Sequence, residues 1–186
     1  MLCLFVFNSV GFAQEHAKVG LRVATGFSTL QDNFFKVTPI PVYSLGLFFP
    51  EKNKPFSIRY ELAFESKGGY LASISEKLTL HYLSFGVLSQ FKFRPLYKHA
   101  ITAGLYLSSI TQVSREPGIY TASFGGLDMG VNAGYKYQIL KSVKWALQID
   151  TRLNYGFVNI NRNLYGSSTT TRTAAAQVGL NFILGK

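Results

Sequence analysis

The sequence alternates between apolar and polar side chains along most of its length. In WALQIDTRLNYGF, residues 145–157, every second residue from Trp145 is mostly large and apolar, and the residues between are small or polar. A period of two is typical of a β-strand whose faces meet different surroundings. The pattern recurs and predicts eight strands, at residues 17–27, 40–49, 56–66, 78–93, 98–111, 122–139, 144–158 and 172–184. No stretch has a capped helical period, so we expect no substantial helix in the mature chain.

The connectors between these strands alternate strictly in length. The short ones are residues 50–55, 94–98 and 140–143, and the long ones are 28–39, 66–77, 114–120 and 159–172. Outer-membrane barrels have tight periplasmic turns and longer outer loops. The alternation therefore predicts an all-β fold, an eight-stranded antiparallel up-and-down transmembrane β-barrel with both termini at the short-turn end.

The side chains on the two faces of the strands differ in size, and this difference indicates which face points into the lumen. The apolar face carries many large side chains, and the interior of an eight-stranded barrel is only wide enough to be filled by side chains. The polar face holds nine of the 17 glycines, at positions 20, 26, 46, 86, 104, 130, 134, 156 and 179. Small residues belong where space is short, so the polar face should line the lumen and the apolar face should meet lipid.

The inward face also carries charges of both signs. The expected lumen network comprises Arg22, Arg59, Glu61, Glu65, Lys92, Asp128, Lys136, Asp150 and Arg152. Buried charges persist when they are paired and hydrogen-bonded, so we expect a plugged lumen in which Asp150 and Arg152 find partners such as Arg59 or Glu61. The alternative is a narrow path for protons or ions.

Aromatic residues on the apolar face gather at the three short turns. They are Phe49, Phe56, Phe91, Phe93, Tyr137 and Trp145. This bunching predicts an aromatic girdle at the periplasmic headgroup level.

Composition narrows the class of protein. Charged residues make up only 15% of the chain and hydrophobic residues 47%, which is unlike a soluble surface. The net charge of +10 comes from scattered Lys and Arg, with no run of four, so we expect no nucleic-acid binding. Residues 1–14 look like the later part of a signal peptide without its basic start, which leaves the true start codon open. We expect the barrel domain at residues 15–186.

Candidate chemistry is sparse, so we expect no catalytic, metal or cofactor site and no enzyme activity. The three histidines, His16, His81 and His99, lie apart, and Ser84 points away from His81 by strand parity. Polar loops at 66–77 and 159–172 suit contacts with lipopolysaccharide phosphates or an envelope protein. The alternatives are a lipid-modifying barrel enzyme and a soluble, lipocalin-like ligand-binding barrel.

Several blocks resemble a known family. They are IRYELAFESKGG, LTLHYLSFGVLSQFKF, AITAGLYLSSI, FGGLDMGVNAGYKYQI, WALQIDTRLNYGFVNI and AAAQVGLNFIL. In order and spacing they resemble the PorT-type outer-membrane β-barrel domain of Bacteroidota, over almost the whole mature chain. The resemblance implies an eight-stranded barrel in the outer membrane, inserted by the barrel-assembly machinery. It implies no catalytic motif. The chain ends FILGK, so Phe182 stands four residues before the terminal aromatic position expected of an insertion signal.

Overall fold

Every described strand belongs to one antiparallel sheet. The structure, a computed structural model, describes residues 19–32, 36–49, 55–93, 98–116, 126–160 and 171–184. Its strands are β1 (Val19–Asp32), β2 (Val37–Thr38), β3 (Ile40–Phe49), β4 (Phe56–Leu71), β5 (Glu76–Lys92), β6 (His99–Glu116), β7 (Leu127–Lys141), β8 (Trp145–Gly156) and β9 (Thr171–Leu184). Because β1 pairs with β9 and β4 pairs with β5, the sheet closes on itself. The predicted fold class is confirmed.

β2 and β3 are two pieces of one barrel strand. Both pair with β4, β2 through Val37 opposite Leu71 and β3 through Ser44 opposite Glu65. Pro39 separates them, and proline has no amide hydrogen to donate to a neighbouring strand. The nine segments therefore make an eight-stranded barrel.

The strand at 40–49 has the predicted bounds, but the predicted loop at 66–77 is wrong. β4 continues to Leu71, β5 begins at Glu76, and only residues 72–75 form the turn. β6 likewise runs to Glu116 and β1 to Asp32, into segments expected to be loop. β7 covers Leu127–Lys141 and so extends two residues past the predicted end at 139, while residues 122–125 of the predicted strand lie outside the described residues. Backbone pairing with a neighbouring strand outweighs the loop-like composition of SKGG.

Several predictions lie wholly or partly outside the described residues: the signal peptide at 1–14, most of the short turns at 50–55 and 94–98, and parts of the loops at 28–39, 114–120 and 159–172. Among the residues described, no helix is long and apolar enough to cross a membrane.

The pairing register fixes the shape of the barrel. Partners followed from Arg22 through β3, β4, β5 and β6 lead to Asp128 on β7. Partners followed the other way, through β9 and β8, lead to Gln138, ten residues further along β7. A stagger of ten over eight strands tilts them by about 40° from the barrel axis. The interior this leaves is narrow: a Cβ at Gly156 would lie 2.5 Å from Asp128 Oδ1 and 2.5 Å from Thr173 Oγ1.

The apolar register faces outward, as predicted. On β4 the residues Phe56, Tyr60, Leu62 and Phe64 are exposed, while Arg59 between them is buried. The outward apolar run on β4 ends at Phe64, and that on β1 ends at Phe27. At this tilt a run of nine residues spans about 20 Å along the axis, close to the apolar band of outer-membrane barrels. We call this exterior zone the apolar belt.

We expect an Arg on the belt to destabilise the barrel. Leu47 is exposed and lies between Leu21 and Leu62 on the neighbouring strands. Leu47→Arg should lower the free energy of unfolding by about 2–4 kcal/mol, since a charge near the bilayer midplane is poorly solvated. Urea titration of the barrel in lipid vesicles measures it.

Ser109→Arg is the matched control. Ser109 is the next outward residue after Leu107 on β6, towards the loop-bearing end, so its variant should lose no more than about 1 kcal/mol. Equal losses in the two variants would contradict the belt.

Candidate functional site

The inward side chains form two charge networks and an apolar cap. We call the end of the barrel where β1 begins and β9 ends the terminal end, and the opposite end the distal end. The terminal network comprises Arg22, Arg59, Glu61, Asp150 and Arg152; the distal network comprises Glu65, Lys67 and Asp128; and the apolar cap comprises Leu30, Leu71, Leu78, Leu80, Tyr82 and Ile160.

The terminal network centres on Glu61 and Asp150. Arg152 binds Glu61 with both terminal nitrogens, Nη1 to Oε1 at 2.9 Å and Nη2 to Oε2 at 3.1 Å. Arg59 Nη2 lies 2.8 Å from the same Glu61 Oε2. Arg22 Nε lies 3.2 Å from Asp150 Oδ2, and Arg152 Nη2 lies 3.5 Å from that oxygen. The network therefore ties β1, β4 and β8 together across the lumen.

Neutral side chains complete this network. Asn181 donates its Nδ2 to Asp150 Oδ1 at 3.0 Å and accepts from Arg59 Nη2 at 3.1 Å. Arg22 donates to Ser44 Oγ and to Gln177 Oε1, each at 3.2 Å. Such added hydrogen bonds are what make a buried ion pair tolerable. All these residues lie on inward registers, so strand parity places each of them in the lumen.

The distal network is built around Lys67. Its Nζ lies 3.1 Å from Asp128 Oδ2 and 3.2 Å from Glu65 Oε1. Thr173 donates to Asp128 Oδ2 at 2.8 Å, and Ser84 donates to Glu65 Oε1 at 2.6 Å. The Lys67 ammonium also lies 4.0 Å from the centre of the Tyr106 ring.

The apolar cap lies on the inward face between the distal network and the distal end. Leu30, Leu71, Leu78 and Leu80 are all almost fully buried and contact one another in one cluster with Ile160. Their strands continue beyond the belt, where the exterior is no longer apolar, so the cap is a small hydrophobic core at the mouth of the barrel. Its packing holds these strand extensions together at the distal end.

Charge is distributed unevenly along the lumen. In the terminal half, three buried arginines and Lys136 face two carboxylates, Glu61 and Asp150. In the distal network, two carboxylates face Lys67, and Glu76 is buried beyond them. Among the described residues, the lumen is therefore positive towards the terminal end and negative towards the distal end.

Little empty space remains between the networks. A cavity of about 20 Å³ lies among Glu61, Glu65, Tyr106, Asn132 and Arg152. That volume holds about one water molecule. Asn132 Oδ1 is buried there with no partner among the described residues, so a water has a polar group to bind.

Eight of the nine predicted lumen charges are buried, and the ninth, Lys92, is half-buried at the end of β5. Lys136 is buried but bonds a neutral group, since its Nζ donates to Gln90 Oε1 at 3.3 Å. Asp150 and Arg152 pair with Arg22 and Glu61.

Sequence reasoning missed Lys67, which it assigned to a loop. Lys67 continues the inward register of Arg59, Glu61 and Glu65, so strand parity extended two residues further would have found it. It also missed the amide and hydroxyl partners Gln177, Asn181 and Thr173, which are inward residues of β9.

The predicted girdle residues lie on the exterior near the terminal end. Phe49, Phe56, Phe91, Phe93, Tyr137 and Trp145 are all exposed. Phe91 and Phe93 meet edge to face at 5.4 Å, and Trp145 stacks on Phe182 at 6.1 Å. His99 adds to this cluster through Tyr137 at 4.9 Å between ring centres and through a hydrogen bond to Tyr135.

His81 and Ser84 lie on opposite sides of the barrel wall. His81 Nδ1 meets the Tyr43 hydroxyl at 3.3 Å on the exterior and stacks on Phe64 at 6.0 Å. Ser84 is buried in the lumen. In the described part of the chain, no three His, Cys, Asp or Glu side chains are grouped to hold a metal ion.

Comparisons with known proteins extend the structural description. No protein-family model matches the chain. No curated protein matches its sequence. Neisserial surface protein A is similar in structure, with a TM-score of 0.57, 14% identity, and coverage of 88% of this chain and 95% of that one. The outer membrane protein OprG of Pseudomonas aeruginosa has a TM-score of 0.58, 10% identity, and coverage of 92% and 97%. At these identities the likeness is one of fold.

The closed sheet, the apolar belt and the filled interior agree with that likeness. A barrel can face lipid because closure gives each strand two neighbours. The chain is an eight-stranded β-barrel of the outer membrane.

Glu61 offers a test of the terminal network. Glu61→Gln leaves Arg59 and Arg152 without their shared carboxylate, and breaking a buried pair in this way costs about 3–5 kcal/mol. We expect a fall of that size in the free energy of unfolding. Urea titration measures it, with the folded fraction taken from the different gel mobility of unheated and heated samples.

The exposed pair between Lys77 and Glu116, 3.6 Å apart, supplies the control. Glu116→Gln should cost no more than about 1 kcal/mol, because water screens that pair. If Glu61→Gln costs as little as Glu116→Gln, the terminal network contributes nothing to stability.

Proposed function

We propose that this chain is a plugged outer-membrane barrel of the PorT-type domain family of Bacteroidota. In this proposal it serves as a structural or interaction protein that meets an envelope partner through its outer loops. The sequence blocks along the mature chain support the family, and the eight-stranded fold agrees with it. The terminal end faces the periplasm, and the barrel-assembly machinery inserts the chain among outer-membrane lipids and lipopolysaccharide.

One observation carries the proposal of a plugged barrel. The lumen is occupied by two charge networks and an apolar cap, and the cavity between the networks has a volume of only about 20 Å³. A porin keeps an aqueous channel, and a ligand-binding barrel keeps a cavity for its ligand. Neither role suits a lumen whose described charge networks leave room between them for about one water, so the proposal assigns binding to the loops and the exterior.

The absence of enzyme activity is part of the same proposal. A hydrolytic or acyl-transfer enzyme needs its nucleophile and base within hydrogen-bond reach on one face. His81 contacts Tyr43 on the exterior, whereas Ser84 bonds Glu65 inside the lumen. Mass spectra of lipid A from cells with and without the gene should be the same. An acyl pattern that changes with the gene and is lost in His81→Ala would contradict this part of the proposal.

Conductance is the direct test of the plug. The purified barrel in a planar lipid bilayer should give no current steps, because the described side chains leave room for about one water between the two networks. A general porin at the same protein-to-lipid ratio is the positive control.

Proton flux tests the narrower alternative of a proton path. Vesicles that contain the barrel and a trapped pH dye should respond to an acid jump as slowly as empty vesicles. A faster response that Lys136→Gln alters would show conduction through the lumen and refute the plug.

A further inference from the structure

An apolar groove of about 700 Å³ crosses the exterior of β7, β8, β9 and β1. Elsewhere on the belt the outward residues are mostly larger ones such as Leu, Phe, Tyr and Val. The groove is a local break in that surface, and the register of the four strands explains it.

Two neighbouring rows of cross-strand partners form the groove. The first row holds Thr25, Val178, Thr151 and Tyr135. The second row, two residues nearer the distal end, holds Phe27, Ala176, Leu153 and Ala133. Small and larger side chains alternate along each row, and on every strand a small side chain in one row lies next to a larger one in the other. The small side chains therefore adjoin from strand to strand and leave a continuous depression across all four strands.

The groove reaches the distal boundary of the belt. Phe27 at its rim is the last outward apolar residue of β1, and Thr29 and Gln31 follow it on that face. On β9 only Ala174 lies between Ala176 and Arg172 on the outward register. The path from the groove to Arg172 therefore crosses no bulky side chain.

Arg172 is a cation at the edge of the belt. Its Nη1 donates to the Tyr155 hydroxyl at 3.4 Å, and that hydroxyl donates to Gln31 Oε1 at 3.3 Å. Its Nε is buried without a hydrogen-bond partner among the described residues. Neutral groups thus hold the guanidinium at headgroup depth, and none of these contacts offsets its charge.

We infer that the groove and Arg172 together bind one molecule of lipid A from the outer leaflet. An acyl chain lies in the groove, where it contacts the small side chains, and a lipid A phosphate accepts hydrogen bonds from Arg172. Arginine suits a phosphate because its planar guanidinium donates two parallel hydrogen bonds. The inference rests on the proposed function, because the distal end must face the leaflet that contains lipid A.

A second copy of the chain fits this surface less well. It would have to fill the groove with a ridge and would leave Arg172 against the apolar belt of its neighbour. A cation held against apolar surface within a membrane is costly. A phosphorylated lipid satisfies both the groove and the charge.

Lipid titration with native mass spectrometry tests the inference. The purified barrel in detergent micelles is titrated with lipid A and, separately, with phosphatidylglycerol. We expect one tightly bound lipid A per barrel and weaker binding of phosphatidylglycerol. Arg172→Gln should weaken lipid A binding about tenfold through loss of a charge-assisted hydrogen bond. The double variant Ala133→Leu and Ala176→Leu, which fills the groove, should also weaken it.

Two variants on β5, a strand that does not line the groove, serve as controls. Ser89→Leu adds a Leu to the outward face of β5, and Lys77→Gln removes a cation near the distal end of the same strand. Both should bind lipid A like the wild type. Gel electrophoresis of heated and unheated samples shows which variants are folded. Arg172→Gln and the groove-filling variant are tested separately, so that if one of them does not fold the other still tests the inference.

Three results would overturn the inference. They are unchanged lipid A binding in the two test variants, equal binding of phosphatidylglycerol, and protein dimers that disappear when the groove is filled. Membrane fractionation of cells with the wild-type gene separately tests the location. If the wild-type protein is not found in the outer-membrane fraction, the proposed function is refuted. If the protein is found there but the lipid A titration fails, only the lipid site is refuted.

Discussion

The narrow interior of the barrel is the constraint on which the rest of the structure depends. Eight strands with a stagger of ten enclose a space that inward side chains nearly fill. Bulky apolar residues must then face outward, and glycines are needed where strands and side chains approach closely, as at Gly156 beside Asp128. The described charges inside take hydrogen bonds from protein groups, as Glu61 does from Arg152 and Asp128 from Thr173. The apolar belt, the glycines and the charge networks are three results of one geometric limit.

Much of this follows from the sequence, because a strand has a period of two and many large side chains cannot fit inside a small barrel. The period identified the strands, and the difference in bulk identified the lipid-facing side. Partner choice in the lumen is another matter. Arg152 is two residues from Asp150 on β8, yet its bidentate partner is Glu61 on β4, across the lumen. The stagger and the tilt of the closed sheet bring Arg152 and Glu61 together, and no local pattern encodes the stagger.

Loop composition was the weaker guide. The segment around Lys67, with its Ser, Lys and two glycines, resembles a loop when taken alone. In the structure its backbone pairs with β5 as far as Leu71 opposite Glu76. The inward leucines of these extensions, Leu71 and Leu78, then pack in the cap. The inward face thus changes from charged to apolar where the strands leave the membrane. A prediction that assigns one character to each face cannot anticipate such a change.

The uneven charge of the lumen has a consequence for ions of either sign. A cation that approaches from the terminal end meets the excess of arginine and lysine first. An anion that approaches from the distal end meets the carboxylates of Glu76, Glu65 and Asp128 before it reaches the arginines. A cation is repelled at the terminal end and an anion at the distal end. An ion that enters from the other end first passes the half of the lumen that attracts it and then meets the half that repels it. The described lumen charges thus oppose the passage of ions of either sign in addition to the close packing of the side chains, and thermal loosening of that packing would leave the opposing charges in place.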